Sequence, residues 1–175
     1  MTGYVKGSPL TARDIQRCLS ETFEYLHERG HRPKGFVSGT WLVLDPIFEW
    51  LASNGFDYDC TLRTYAPAGP YSRLLPDTVC PSPRPLLDLI EIPTTSFFKR
   101  YVRDKILLHP RSVRVADLQY DLYFLHDYDL VNRSKRVVLR VLAKLERSAE
   151  NLTVQELADR IRAPRTGDAN RISEV

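Results

Sequence analysis

Residues 30–62 read GHRPKGFVSGTWLVLDPIFEWLASNGFDYDCTL, and their order of apolar runs and helix breakers indicates the fold class. A glycine and a proline at its start end the preceding helix, after which Gly35–Val37 predicts a short strand. Asp45 and Pro46 open a second helix, because proline is favoured in the first helical turn. A glycine ends that helix, and Phe56–Leu62 predicts the next strand. The stretch therefore indicates a strand–helix–strand unit.

Further predicted helices and strands flank this unit. Apolar spacing and capping residues predict three further helices, at about residues 11–29, from Asn132 or Ser134 to about Glu150, and from Thr153 to about Arg162. Short apolar runs predict strands at Leu86–Ile92 and Leu122–Leu125. Half of the 12 prolines fall within residues 64–85, which predicts a long loop, and Ser96–Leu108 is predicted as helical or irregular. The alternation predicts an α/β fold with a largely parallel sheet.

Length and composition narrow the class of protein. The chain has 175 residues, 43% hydrophobic and 27% charged, which is typical of one globular domain rather than a disordered chain. A complete eightfold β/α barrel usually needs about 200 residues or more. We predict a domain over residues 1–163 and a polar, disordered tail over residues 164–175. No apolar run is long enough to predict a membrane span.

Charge and cysteine content bear on partners and location. The net charge is +3 with interspersed signs, so basic–aromatic clusters typical of nucleic-acid binding are lacking, and we expect no nucleic-acid partner. Three widely spaced cysteines, Cys18, Cys60 and Cys80, form no disulfide framework or zinc motif. Together with an N-terminus that lacks the pattern of a secretory signal, this predicts a cytoplasmic protein.

His126 is the first candidate for chemistry. It directly follows the apolar strand at Leu122–Leu125 and precedes Asp127 and Asp129. A histidine at the carboxyl end of a strand can transfer protons near neutral pH, and a nearby carboxylate can orient its ring. The alternative is a histidine that only hydrogen-bonds a neighbouring loop. No H-x-x-x-H or H-E-x-x-H run is present, so spacing predicts no metal site.

Aromatic and acidic residues offer candidates for substrate binding. Trp41 follows Gly39 in a strand-end loop and is the better stacking platform for a sugar, whereas Trp50 at helical spacing is expected in the core. Asp57 and Asp59 alternate on one strand face as a carboxylate pair, although a solvated edge or a turn contact is the commoner outcome. We therefore assign Trp41, Asp59 and Asp129 as substrate-binding residues.

The order of motifs resembles NodB-type polysaccharide deacetylases. The resemblance rests on four stretches in order: Pro9–Asp14, Gly30–Phe36 followed by Trp41, Ala52–Asp59, and Leu89–Pro93 with its Glu-x-Pro end. Leu125-His126 then resembles the family's closing Leu-x-His motif. The match covers most of residues 3–161.

The resemblance implies an incomplete, distorted β/α barrel that hydrolyses the acetamide of a carbohydrate with a divalent metal, usually zinc. It implies that His126 is the late acid that protonates the leaving group. The family's Asp-Asp strand is missing, and Thr2 and Lys6 stand where its two metal histidines would lie. Lysine does not ligate a metal dication, so we expect no metal or other cofactor in this chain.

Two classes of function follow. The first is a deacetylase-like protein acting on a carbohydrate or small acetylated amino sugar, truncated or impaired. The second is an inactive carbohydrate-binding or protein-interaction module. Because the missing first strands would leave an unpaired sheet edge, we also expect a homodimer through that edge.

Overall fold

The computed structural model describes most of the predicted domain. The described residues are 11–66, 79–97, 102–103, 112–115, 118–124, 130–145, 150 and 152–163. Thr2, Lys6, the predicted tail over residues 164–175 and the greater part of the proline-rich loop lie outside them.

The helices begin where the capping residues predict. Helix α1 (Ala12–Glu28) starts after Thr11, whose hydroxyl accepts a hydrogen bond from the Asp14 amide at 3.2 Å while the Asp14 carboxylate accepts from the Thr11 amide at 3.1 Å. Helix α2 (Asp45–Ser53) has proline in its first turn. These two helices confirm the predicted boundaries to within one residue.

The C-terminal helices are also capped as predicted. Helix α3 (Arg133–Leu145) begins after Asn132, whose side chain accepts a hydrogen bond from the Lys135 amide at 3.1 Å. Helix α4 (Val154–Arg162) begins at a second capping box, in which Thr153 accepts from the Glu156 amide. Both caps satisfy amide groups that a helix leaves without internal partners.

Short strands form the sheets between these helices. They are β1 (Gly35–Phe36), β2 (Tyr58–Asp59), β3 (Arg84–Leu86), β4 (Leu89–Glu91), β5 (Ser96–Phe97), β6 (Val113–Val115), β7 (Leu118–Tyr120) and β8 (Tyr123–Phe124). The largest sheet has the order β1-β2-β4-β3, in which β1, β2 and β4 are parallel and β3 is antiparallel. The parallel part contains both strands of the unit predicted at residues 30–62.

Backbone hydrogen bonds join this sheet to β8. The Thr94 amide donates to the Leu62 carbonyl at 2.9 Å, and one residue later the Thr95 amide donates to the Leu122 carbonyl at 2.6 Å. Because β5 and β8 are also parallel, four parallel segments lie side by side in chain order: β1, β2, the β4–β5 run and β8. In the described part of the chain these segments do not close into a barrel.

The strands of the structure differ from the sequence predictions at three places. Leu86–Ile92, predicted as one strand, begins with the last residue of β3 and contains the turn and β4 of a β3–β4 hairpin. Leu87 turns the chain with a φ of 55°, a conformation that leucine rarely adopts and that the sequence does not announce. Ser96 and Phe97, predicted as helical or irregular, form β5. The β6–β7 hairpin was not predicted.

Helices cover both faces of the sheet. On one face α1 and α2 pack in a core that contains the fully buried Phe48 and Leu51. On the other face α4 and the β6–β7 hairpin pack against Ile90 and Ile92. Arg162 at the end of α4 also donates a hydrogen bond to the Asp57 carbonyl. The sheet therefore lies between two apolar layers, one on each face.

Candidate functional site

The structure describes two of the predicted site residues. Trp41 and Asp59 lie in the described part, at the carboxyl ends of β1 and β2. His126 and Asp129, the predicted acid and the third substrate-binding residue, lie outside the described residues. The placement of these two residues remains a prediction.

Trp41 lies in a short 3-10 turn (Gly39–Trp41) that follows β1. Its amide donates to the Ser38 carbonyl at 3.2 Å, and its φ is 59°. A bulky side chain rarely adopts this left-handed conformation, and such strain is concentrated at functional sites. The indole is half-buried, so part of it faces solvent at the end of the strand.

Further ring and guanidinium groups surround Trp41. The Arg63 guanidinium lies 4.6 Å from the centre of the Trp41 ring and 5.7 Å from that of Tyr65. Ring centres are 5.0 Å apart between Trp41 and Phe124, and 6.1 Å apart between Phe124 and Phe97. Phe97 lies 6.2 Å from Tyr65, which completes the circuit of contacts. We name these five residues the aromatic wall.

The aromatic wall lies where the parallel segments end. Trp41 follows β1, Arg63 and Tyr65 follow β2, and Phe97 and Phe124 are the last residues of β5 and β8. All five side chains are half-buried. Ligand sites of open α/β sheets lie at this edge, because the loops that carry specificity converge there.

A cavity of about 290 Å³ adjoins the wall. Its lining includes Tyr58, Cys60, Thr94, Leu122 and Phe124. Phe124 therefore belongs to both the cavity and the aromatic wall. The lining is mostly apolar, and its polar side chains are the phenols of Tyr58 and Tyr123, the Cys60 thiol and the Thr94 hydroxyl.

Two groups of this lining, the Tyr58 phenol and the Cys60 thiol, have a raised pKa and are neutral at physiological pH. Burial is the main cause that raises the pKa of the Tyr58 phenol. Burial also raises the pKa of the Cys60 thiol well above its ordinary value, and the nearby carboxyls of Asp59 and Glu91 add to the shift. Since the thiolate is the reactive form of cysteine, Cys60 suits a packing role rather than nucleophilic catalysis.

Asp59 and Glu91 form a buried carboxyl pair on the opposite face of the sheet. They are partners in the parallel register of β2 and β4, and both side chains are fully buried. Asp59 accepts hydrogen bonds from the amide and the hydroxyl of Thr61, each at 2.9 Å. Glu91 accepts one from the Leu62 amide at 2.8 Å. The predicted pairing of Asp59 with Asp57 is replaced by this cross-strand contact.

Burial raises the pKa of both carboxyls. The pKa of Glu91 lies well above its ordinary value because of burial first and the Asp59 charge second. The pKa of Asp59 is also raised by burial, but hydrogen bonds from Thr61 oppose the shift. Two adjacent buried carboxyls do not both ionise readily. Because Asp59 accepts two hydrogen bonds and Glu91 accepts one, we place the retained proton of the pair on Glu91.

The hydrogen bonds around Asp59 and Glu91 position the aromatic wall, and neither carboxyl contacts solvent. The Ser38 amide donates to the Thr61 hydroxyl at 2.8 Å, which links the loop before Trp41 to the carboxyl pair. Glu91 fixes the amide of Leu62, the residue before Arg63. The carboxyl pair thus holds the two loops that carry Trp41 and Arg63.

Sequence reasoning did not identify most of the wall. Arg63, Tyr65, Phe97 and Phe124 were not assigned to a site, although each lies at or just after a strand end. Glu91 was noted only within its motif. The sequence does hold one indication, because Tyr65 and Phe124 lie near the carboxyl ends of predicted strands, and this position could have grouped them with Trp41.

The described residues contain no group of three or more His, Cys, Asp or Glu side chains that could hold a metal ion. The helices that the structure describes include none long and apolar enough to cross a membrane. No family model matches the chain, and no curated protein or solved structure is significantly similar to it.

Proposed function

We propose that the protein binds an N-acetylated sugar at the aromatic wall. The observation that carries the proposal is the wall itself, in which the half-buried Trp41 indole lies beside the Arg63 guanidinium at the carboxyl ends of parallel strands. An aromatic face packs against the C–H groups of a sugar ring, and a guanidinium donates hydrogen bonds to its hydroxyls. This arrangement supports the predicted role of Trp41.

The adjoining cavity supports the choice of an N-acetylated sugar as the ligand. Its lining is mostly apolar, and the Tyr58 phenol, which remains protonated, can donate a hydrogen bond. Binding sites of this kind combine an apolar lining with a few polar groups that orient the ligand. We infer that the methyl group of an acetamide enters the cavity while the ring rests on the wall.

Strand order supports the predicted NodB-type architecture. Sheets that wind into a barrel place successive parallel strands side by side, as the segments β1, β2, β4–β5 and β8 do here. We therefore retain the proposal of an incomplete β/α barrel that resembles the NodB deacetylases.

Deacetylation is the second candidate activity. It is favoured by the position of His126, which follows the wall residue Phe124 by two residues in the chain. The described residues do not fit the metal that the resemblance implies, and we derive no step through one. His126 would supply the proton for the leaving nitrogen. Acetate release from acetylated amino-sugar oligomers should fall sharply in His126→Ala, and unchanged release would remove this role.

Calorimetric titration with N-acetylglucosamine oligomers tests the binding proposal. Trp41→Leu should weaken binding by about tenfold, equivalent to about 1.4 kcal/mol. Tyr25→Leu is the matched control, because Tyr25 is an exposed aromatic residue with the Arg29 guanidinium 3.5 Å from its ring centre on α1. Equal loss of affinity in both variants, or no binding by the wild type, would contradict the proposal.

The predicted homodimer is a separate proposal. Among the described strands, β1 is an edge of its sheet and pairs only with β2, which supports the addition of a second copy there. Light scattering on the purified chain tests it, and a stable monomer at all concentrations would contradict it.

A further inference from the structure

Helix α3 concentrates the positive charge of the protein. Its 13 residues include five basic side chains and no acidic one, whereas the whole chain has 25 basic and 22 acidic residues. Four of the basic residues are exposed and recur at spacings of three and four, namely Arg133, Arg136, Arg140 and Lys144. This spacing places them along one side of the helix.

Exposed apolar side chains lie next to this basic side. Val137 is 53% exposed and Val141 is 49% exposed, one helical turn apart on α3. Leu130 and Val131, just before the helix cap, are 52% and 79% exposed. Large exposed apolar side chains that occur together, rather than singly, mark an interaction surface.

The opposite side of α3 faces the protein. Leu142 is only 6% exposed, and helical geometry places it away from the exposed basic side. Burial of that side leaves the basic and valine residues pointing outward together. At about 20 Å, the helix is too short to cross a bilayer but can lie along its surface.

We propose that α3 docks on an anionic phospholipid surface. Lysine and arginine are attracted to acidic headgroups, while valine and leucine side chains insert at the boundary with the acyl chains. The phosphates of a nucleic acid would pair with the basic side chains, but they would make no apolar contact with the adjacent valines. The combination of charge and exposed valine therefore favours lipid.

Co-sedimentation with vesicles tests the proposal on the full chain. Binding is expected to phosphatidylcholine vesicles that contain one third phosphatidylglycerol, and not to phosphatidylcholine alone. Arg136→Ala combined with Arg140→Ala should weaken binding by about fivefold for each cation, roughly 25-fold in all. Arg13→Ala on α1, which also removes one exposed cation, should have little effect.

A second variant separates lipid from nucleic acid. Val137→Ser combined with Val141→Ser keeps every charge and should still weaken vesicle binding by about fivefold or more. Circular dichroism should show that these exposed substitutions leave the fold intact. Failure of the wild type to bind anionic vesicles would overturn the proposal. Vesicle binding unchanged by the valine variant, with equally tight binding of an RNA oligonucleotide, would also overturn it.

Discussion

Replacing Glu91 by glutamine should stabilise the protein near neutral pH while changing little at about pH 4. Glutamine keeps an oxygen that accepts from the Leu62 amide, and its uncharged amide group takes the place of a protonated carboxyl beside Asp59. The substitution therefore preserves the hydrogen bond to Leu62 but removes the need to hold a proton.

The direction follows from the raised pKa of Glu91. A carboxyl whose pKa is higher in the folded than in the unfolded state binds more protons when folded, so the free energy of unfolding falls as pH rises. Below the ordinary glutamate pKa of about 4.3 both states are protonated, and the contribution is fully present. Above it, each pH unit up to the folded-state pKa removes about 1.4 kcal/mol.

Urea denaturation between about pH 4 and about pH 8 at constant ionic strength measures this effect. The difference in the free energy of unfolding between Glu91→Gln and wild type should grow with pH. Glu24→Gln, which changes an exposed glutamate on α1, is the matched control and should give a constant difference.

Asp59→Asn, in contrast to Glu91→Gln, should destabilise the protein. Asp59 accepts two hydrogen bonds from Thr61, and an asparagine amide group can replace only one of those acceptor oxygens. The variant should lose about 1–3 kcal/mol of stability. Our assignment of the proton to Glu91 is wrong if Glu91→Gln destabilises the protein equally at all pH values. It is also wrong if Asp59→Asn destabilises the protein less than Glu91→Gln does.

Three further substitutions test local features of the fold by chemical denaturation. Gly35→Ala should destabilise by about 1–3 kcal/mol because a methyl group there overlaps the Tyr58 ring, whereas Gly39→Ala meets nothing within 4 Å and serves as its control. Leu87→Gly should stabilise by up to about 1 kcal/mol because leucine is strained at positive φ, and a loss would show that the leucine side chain outweighs the strain. Thr153→Ala should remove about 1 kcal/mol by deleting the cap of α4, and an unchanged midpoint would contradict that role.

The helices were predictable because their determinants are local. The capping residues Thr11 and Thr153, and Pro46 in the first turn of α2, specify helix starts through contacts within four residues. Apolar spacing then fixed which side of each helix is buried, as for Trp50 in the core. Strands β1, β2 and β8 also fell within the predicted runs.

The hairpin turn and the site depend on distant contacts. The turn at Leu87 is stabilised by the pairing of β3 with β4, and leucine gives no local indication of positive φ. The aromatic wall combines residues from Trp41 to Phe124, which only the sheet brings together. Similarly, the partner of Asp59 is set by the register of β2 and β4, which sequence alone does not determine.

The indole N–H resonances of the two tryptophans show whether a sugar rests on Trp41. Trp50 is buried, and its indole N–H donates to Ser20 at 3.0 Å, so it serves as an internal control. Single tryptophan-to-phenylalanine variants assign the two signals. On titration with an N-acetylglucosamine oligomer, the Trp41 resonance should shift and the Trp50 resonance should not. No shift of Trp41 at saturating ligand, or equal shifts of both resonances, would contradict it.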